Sequence, residues 1–132
     1  MKKTIFYRLP VIAYCALIFW QSSSASLDTL PTFAHADKVM HFCGYALLGA
    51  LVARMLVNET LLTLSLRNLI LAAVIFSTLY GVGDEFHQSF VGERSADILD
   101  VVADGVGSVV GVGFYAGVRH SRNLRQETRN KV

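Results

Sequence analysis

The chain has 132 residues, of which 53% are hydrophobic and 17% charged, with a formal net charge of +2. That length suits one domain, and the apolar share exceeds, while the charged share falls below, the roughly 45–50% and about 25% of soluble domains. The net charge says little about partners; the basic tail reads as a juxtamembrane anchor rather than a nucleic-acid arm, so no nucleic acid is expected, and the clustering of the apolar residues argues against a soluble helical bundle.

Four blocks carry the apolar excess: 9–23, 39–57, 66–83 and 98–118. A membrane-spanning helix needs ~20 mostly apolar residues, with a range of about 17–25. Each block reaches that range with a few polar residues at its ends. The blocks are apolar on all faces rather than along one stripe. The expected fold is therefore all-α: a four-helix transmembrane bundle in a single domain spanning 1–132.

The first block follows Lys2, Lys3 and Arg8, and Pro10 stands near its start, where a missing N–H is tolerated. The Lys pair, the apolar run and Ser23-Ser24-Ala25 also have the form of a signal peptide; an uncleaved first span is expected. Residues 22–37 have turn composition, and Asp37 is the expected N-cap of the second helix. Residues 58–65 form a short turn between the second and third spans. Composition changes sharply after Gly83, and Ser95 is the expected cap of the fourth helix. Residues 119–132 form a basic tail.

Ten of the twelve basic residues fall on one side of this arrangement: Lys2, Lys3, Arg8, Arg54, Arg67, Arg119, Arg122, Arg125, Arg129 and Lys131. Lys38 and Arg94 are on the other. Cytoplasmic segments collect Lys and Arg, so both termini are expected in the cytoplasm of a multi-pass protein of the bacterial cytoplasmic (inner) membrane. Asp28, Asp37, Asp84, Glu85, Glu93, Asp97 and Asp100 then face outward. Cys15 and Cys43 fall inside spans and are expected to be buried free thiols. Gly107/Gly111 and Gly113/Gly117 have the small-xxx-small spacing that lets helices approach closely in lipid. Packing within the bundle is one reading of those glycines, and a homo-oligomer is the other.

Dense ionisable residues between two apolar runs call for partners, because charge near hydrocarbon costs several kcal/mol when unpaired. Asp37, His41 and Tyr45 are spaced i, i+4, i+8 and share a helix face. If the third helix continues past Gly83, Glu85 and Gln88 share one face, and Asp84 and His87 another. Glu85 polarising a histidine, His41 or His87, would suit acid–base chemistry. The same residues lack a definite metal-ligand spacing such as HExxH, so neither a metal nor any other cofactor is expected. Asp97, Asp100 and Asp104 form a stripe at i, i+3, i+7, with Arg94 the nearest counter-ion in sequence or a fork for an anionic ligand. Asp104 is the deepest. It is either protonated by desolvation or paired across the bundle with His41 or Lys38.

The motifs Asp37-Lys38-x-x-His41-Phe42-x-x-Tyr45-x-x-Leu48-Gly49 and Asp84-Glu85-Phe86-His87-Gln88-x-Phe90-x-x-x-Arg94-Ser95-x-Asp97-x-x-Asp100-Val101 resemble those of the VanZ-like family of small bacterial membrane proteins. Trp20-Gln21-Ser22-Ser23 is also similar, and the resemblance covers roughly residues 14–113. The family often has Asn before a glycine where this chain has Asp104-Gly105. The family is named for a protein linked to low-level resistance to teicoplanin, a lipoglycopeptide acting on the cell wall. The resemblance implies an envelope role for an outward-facing polar site. By similarity Lys38, His41, Tyr45, Glu85, His87, Gln88, Arg94, Asp97 and Asp100 are functional candidates, and no catalytic role transfers with them. On the chemistry of the residues themselves, His41, Glu85 and His87 are the candidates for catalysis, Lys38, Tyr45, Gln88, Arg94, Asp97 and Asp100 for binding, and Asp37 and Asp104 are structural or proton-linked. The expected partners are membrane lipids and a lipid-linked or glycopeptide ligand. The alternatives are a membrane enzyme acting on a lipid or cell-wall intermediate and a proton-coupled transporter using His41 and Asp104.

Overall fold

The computed structural model describes residues 2–24, 34–59, 64–92 and 96–131. They form four helices: α1 Lys2–Ser22, α2 Ala36–Asn58, α3 Leu66–Gln88 and α4 Ile98–Arg129. All four are long and apolar enough to cross a membrane. The expected all-α four-helix bundle is the observed one.

The helix ends differ from the sequence reading in ways that matter for the site. The N-cap of α2 is His35, in the left-handed region at φ 61°, and its side chain makes no capping bond. Asp37 lies inside the first turn, where its carboxylate meets Lys38 Nζ at 2.9 Å instead of capping. The N-cap of α4 is Asp97, whose carboxylate accepts from the Leu99 N–H at 2.9 Å; Ser95 lies outside the described residues. Helix α3 does not stop at Gly83 but continues through Gln88. Its last polar turn survives because the side chains of Asp84, Glu85 and Gln88 are all buried against partners. Helix α4 runs on through the basic tail to Arg129, giving 32 residues or about 48 Å at 1.5 Å per residue. That exceeds a hydrocarbon core of ~30 Å, and the last turns are exposed.

Packing is closest between α2 and α4. A Cβ on Gly107 would come within 2.3 Å of the Phe42 carbonyl oxygen, and one on Gly111 within 1.7 Å of that of Ala46. A Cβ on Gly49 would meet the Ser108 oxygen at 2.7 Å. These glycines bring the backbones together where no hydrophobic force between helices operates. Gly113 and Gly117 have open space around them. The small apolar core comprises Val11, Tyr45, Leu48, Val52, Ala53, Ala73 and Val112. Large apolar side chains such as Ile12, Trp20, Leu79, Phe86 and Phe114 point outward. Apolar outside with carboxylates inside is the distribution of a lipid-solvated bundle.

The two ends of the bundle differ. At one end, Arg8 Nε donates to Glu59 at 2.9 Å and Arg54 lies over the rings of Phe6 and Tyr7 at 4.8 and 4.7 Å. At the other, the C-termini of α1 and α3 meet the N-termini of α2 and α4, and the carboxylates gather there. Both cysteines are free, as expected, but Cys43 is exposed rather than buried.

Candidate functional site

Three helices contribute to an ionic layer at one end of the bundle. Lys38 of α2 places Nζ 2.7 Å from Asp97, 3.1 Å from Asp100 and 2.9 Å from Asp37. The Lys38 ammonium holds the Asp97 carboxyl below the usual aspartate range, helped by the Leu99 N–H. The Asp97 N–H in turn donates to Glu85 Oε2 at 3.1 Å. The start of α4 is thereby tied to both α2 and α3. Lys38, 59 residues distant from Asp97, supplies the cation that the sequence reading sought in Arg94, and Arg94 lies outside the described residues.

One turn deeper, His41 stands between two carboxylates. Its Nδ1 is 3.0 Å from Asp104 Oδ1 and its Nε2 is 3.6 Å from Glu85 Oε1. Asp104 is fully buried and Glu85 is 4% exposed. Asp104 fits there because Gly81 faces it: a Cβ on Gly81 would meet Asp104 Oδ2 at 2.6 Å. The His41 and Tyr45 rings lie parallel, 6.4 Å apart, as expected of residues four apart on one face, whereas Asp37 turns away to Lys38. Tyr45 is 2% exposed.

A second cluster joins α1 to α3. The Ser22 hydroxyl donates to Asp84 Oδ1. Gln88 Nε2 lies 3.2 Å from Ser22 Oγ and 3.1 Å from Asp84 Oδ2. His87 faces the other way, with Nε2 3.0 Å from Ser23 Oγ and its ring stacked on Phe19 at 4.7 Å. Of the three candidate catalytic residues, the fold brings His41 and Glu85 together and carries His87 to the α1 side.

Between these clusters lies a cavity of about 310 Å³. Its walls are Tyr14, Ile18, Gln21 and Ser22 of α1, Asp37, Met40, His41, Cys43, Gly44 and Tyr45 of α2, and Asp84 and Gln88 of α3. His41 forms part of the wall; Glu85 and Asp104 stand behind it. Sequence reasoning missed Ser22, Gly81 and the α1 side of this cavity. The signal for Ser22 was present in the Trp20-Gln21-Ser22-Ser23 motif, but Gly81 had none.

A family model described as VanZ/LLP1 matches residues 4–119, nearly the whole chain and all four helices. The chain belongs to the VanZ/LLP1 family. No curated protein and no solved structure matches it significantly. Within this VanZ/LLP1 chain, both polar motifs of the sequence reading converge on one end of the bundle.

Proposed function

We propose that this protein acts at the outer face of the bacterial cytoplasmic membrane, binding the polar part of a lipid-linked or lipoglycopeptide envelope ligand. The observation that carries this reading is the cavity between α1, α2 and α3. One part of its wall is apolar, from Ile18, Met40 and the Tyr14 ring, and another is polar, from Ser22, His41, Asp84 and Gln88. An amphiphile with hydroxyl or ammonium donors matches such a wall: the carboxylates accept hydrogen bonds and the apolar side faces the acyl chain.

An acid–base enzyme is the second reading, supported by the Asp104–His41 contact at 3.0 Å, which would orient the imidazole. Binding is favoured over it because His41 alone of the pair reaches the cavity wall, while Glu85 and Asp104 lie behind it.

The test is titration of the protein in lipid nanodiscs with teicoplanin and, separately, with a polyprenyl-linked disaccharide. Saturable binding to at least one is expected, weakened at least tenfold in Met40→Trp, which fills the cavity, and unchanged in Gly113→Ala. Binding to neither probe overturns the reading. Glu85→Gln separates the two alternatives: in an enzyme it abolishes turnover while binding survives. Activity and binding falling in proportion removes catalysis.

A further inference from the structure

We infer that His41, Glu85 and Asp104 form a site for one divalent transition-metal ion, of the Zn²⁺ class. One donor atom from each residue lies within 4.8 Å of the other two, and the three residues come from α2, α3 and α4. Glu85 and Asp104 are buried and His41 is half-buried, at the level where the three helices meet.

Three observations point to an ion rather than to hydrogen bonding alone. First, Glu85 Oε1 and Asp104 Oδ2 are both buried without a hydrogen-bond partner among the described residues. Leaving charged oxygens unpaired in low dielectric is costly, so such orphans call for an occupant. Second, the His41 Nε2 to Glu85 Oε1 separation is 3.6 Å, too long for a hydrogen bond. Third, the described residues at this end carry more acidic than basic groups. Among the described residues this end holds six carboxylates, Asp37, Asp84, Glu85, Asp97, Asp100 and Asp104, and one Lys or Arg, namely Lys38. The Lys38 ammonium is engaged by Asp37, Asp97 and Asp100. A divalent ion there would add positive charge beside Glu85 and Asp104.

The donors select the metal. One imidazole nitrogen and two carboxylates suit Zn²⁺ or Mn²⁺. Mg²⁺ and Ca²⁺ prefer all-oxygen coordination, so the imidazole nitrogen disfavours them relative to Zn²⁺. Three protein ligands leave a coordination position open for water or an anionic group. The site also has support around its ligands: Glu85 Oε2 is held by the Asp97 N–H at 3.1 Å, leaving Oε1 to turn toward the ion. The sequence lacked a metal signature because no two of the three ligands share a helix. This inference does not rest on the cavity taking an envelope ligand, and it is tested without one.

The experiment uses the full chain in detergent micelles, stripped with a chelator, then equilibrated with Zn²⁺, Mn²⁺ or Mg²⁺, desalted and analysed for metal. One Zn²⁺ per chain is expected, with weaker retention of Mn²⁺ and none of Mg²⁺. Glu85→Gln and Asp104→Asn should each weaken Zn²⁺ binding at least tenfold, and His120→Ala, an exposed residue of α4, should leave it unchanged. Co²⁺ gives a second readout: the unaltered protein should develop a tetrahedral visible spectrum that both ligand variants lose. Less than a tenth of an ion per unaltered chain overturns the proposal, with no variant needing to fold. So does a stoichiometry, affinity and Co²⁺ spectrum that the ligand substitutions leave in place.

Discussion

Gly111 lies so close to Ala46 that a Cβ on it would come within 1.7 Å of the Ala46 carbonyl oxygen. The atom in the way is backbone, so it cannot swing aside as a side chain could. Gly111→Ala should therefore force α2 and α4 apart and destabilise the bundle by about 3 kcal/mol or more, at or beyond the upper end of overpacking effects. Gly113→Ala meets nothing within 4 Å and should be neutral or slightly stabilising, because Ala is the better helix former. Unfolding of the two variants in mixed micelles checks the contrast. Equal effects would mean that α2 and α4 are not in this register. The contrast also bears on self-association: Gly107 and Gly111 are occupied within the chain, so any dimer face on α4 would have to use Gly113 and Gly117.

Lys38 links three carboxylates, and two of them belong to another helix. Lys38→Met keeps the stem and removes the charge. It leaves Asp100, whose side chain is 10% exposed, without its cation. Exposed pairs are worth about 0–1 kcal/mol and breaking a buried one costs about 3–5 kcal/mol; with Asp37 and Asp97 partly exposed and Asp100 largely buried, the expected loss lies between, at about 1–2 kcal/mol. Lys38→Arg should recover only part of it, since a planar fork does not reproduce a point charge shared among three acids. Chemical denaturation of the three proteins measures both effects, and full stability in Lys38→Met would remove Lys38 as the organising cation.

The ion pair makes an acid-side prediction. The Lys38 ammonium depresses the Asp97 carboxyl below its ordinary value of about 3.9. A depressed folded value contributes stability that is complete above the ordinary value and is lost as pH falls through the folded one. Asp97→Asn retains an oxygen to cap α4 but no charge for Lys38. Its thermal midpoint should lie below that of the unaltered protein at pH 7, and the gap should narrow below about pH 4. A gap that stays constant or widens on acidification would contradict the assignment.

The apolar blocks made the four spans legible, because hydropathy reads what each helix offers to lipid. The helix ends were harder to read, because partners distant in sequence decide them. The composition change at Gly83 looks like a helix end, yet the turn beyond it is stabilised by contacts such as Asp84 with Ser22, 62 residues away. Asp37 looks like a cap, but Lys38 draws its carboxylate away. Helical spacing placed His41 and Tyr45 on one face correctly. It could not show that Asp104 and Glu85 would flank His41, since that depends on Gly81 and Gly111 letting the helices close.

Helix α1 is fastened to the rest of the site chiefly through polar contacts: Ser22 to Asp84, and the Tyr80 hydroxyl to the Cys15 carbonyl at 2.7 Å. Asp84→Ala strands the Ser22 hydroxyl and one side of the Gln88 amide in a buried setting. Each unsatisfied group costs about 1–3 kcal/mol, so a loss of roughly 2–4 kcal/mol is expected. The damage should be local. In an Ile18→Cys background with Cys15 and Cys43 replaced by Ser, thiol labelling from the outer side should accelerate at least tenfold when Asp84 is replaced. Unchanged labelling would mean that α1 is held by its apolar contacts alone.

Charge placement predicts which end faces the cytoplasm. The Arg8–Glu59 contact and the Arg-rich end of α4 lie opposite the carboxylate layer. Lys and Arg within reach of span ends favour the cytoplasmic side, so both termini should be inside and the His41–Glu85–Asp104 layer near the outer surface. Fusing alkaline phosphatase after Val132 should give an inactive enzyme, because it needs the oxidising exterior to form its disulfides. Green fluorescent protein at the same position should fluoresce. Active phosphatase there would turn the whole site toward the cytoplasm and rule out an extracytoplasmic ligand, while leaving the metal-binding geometry unaffected.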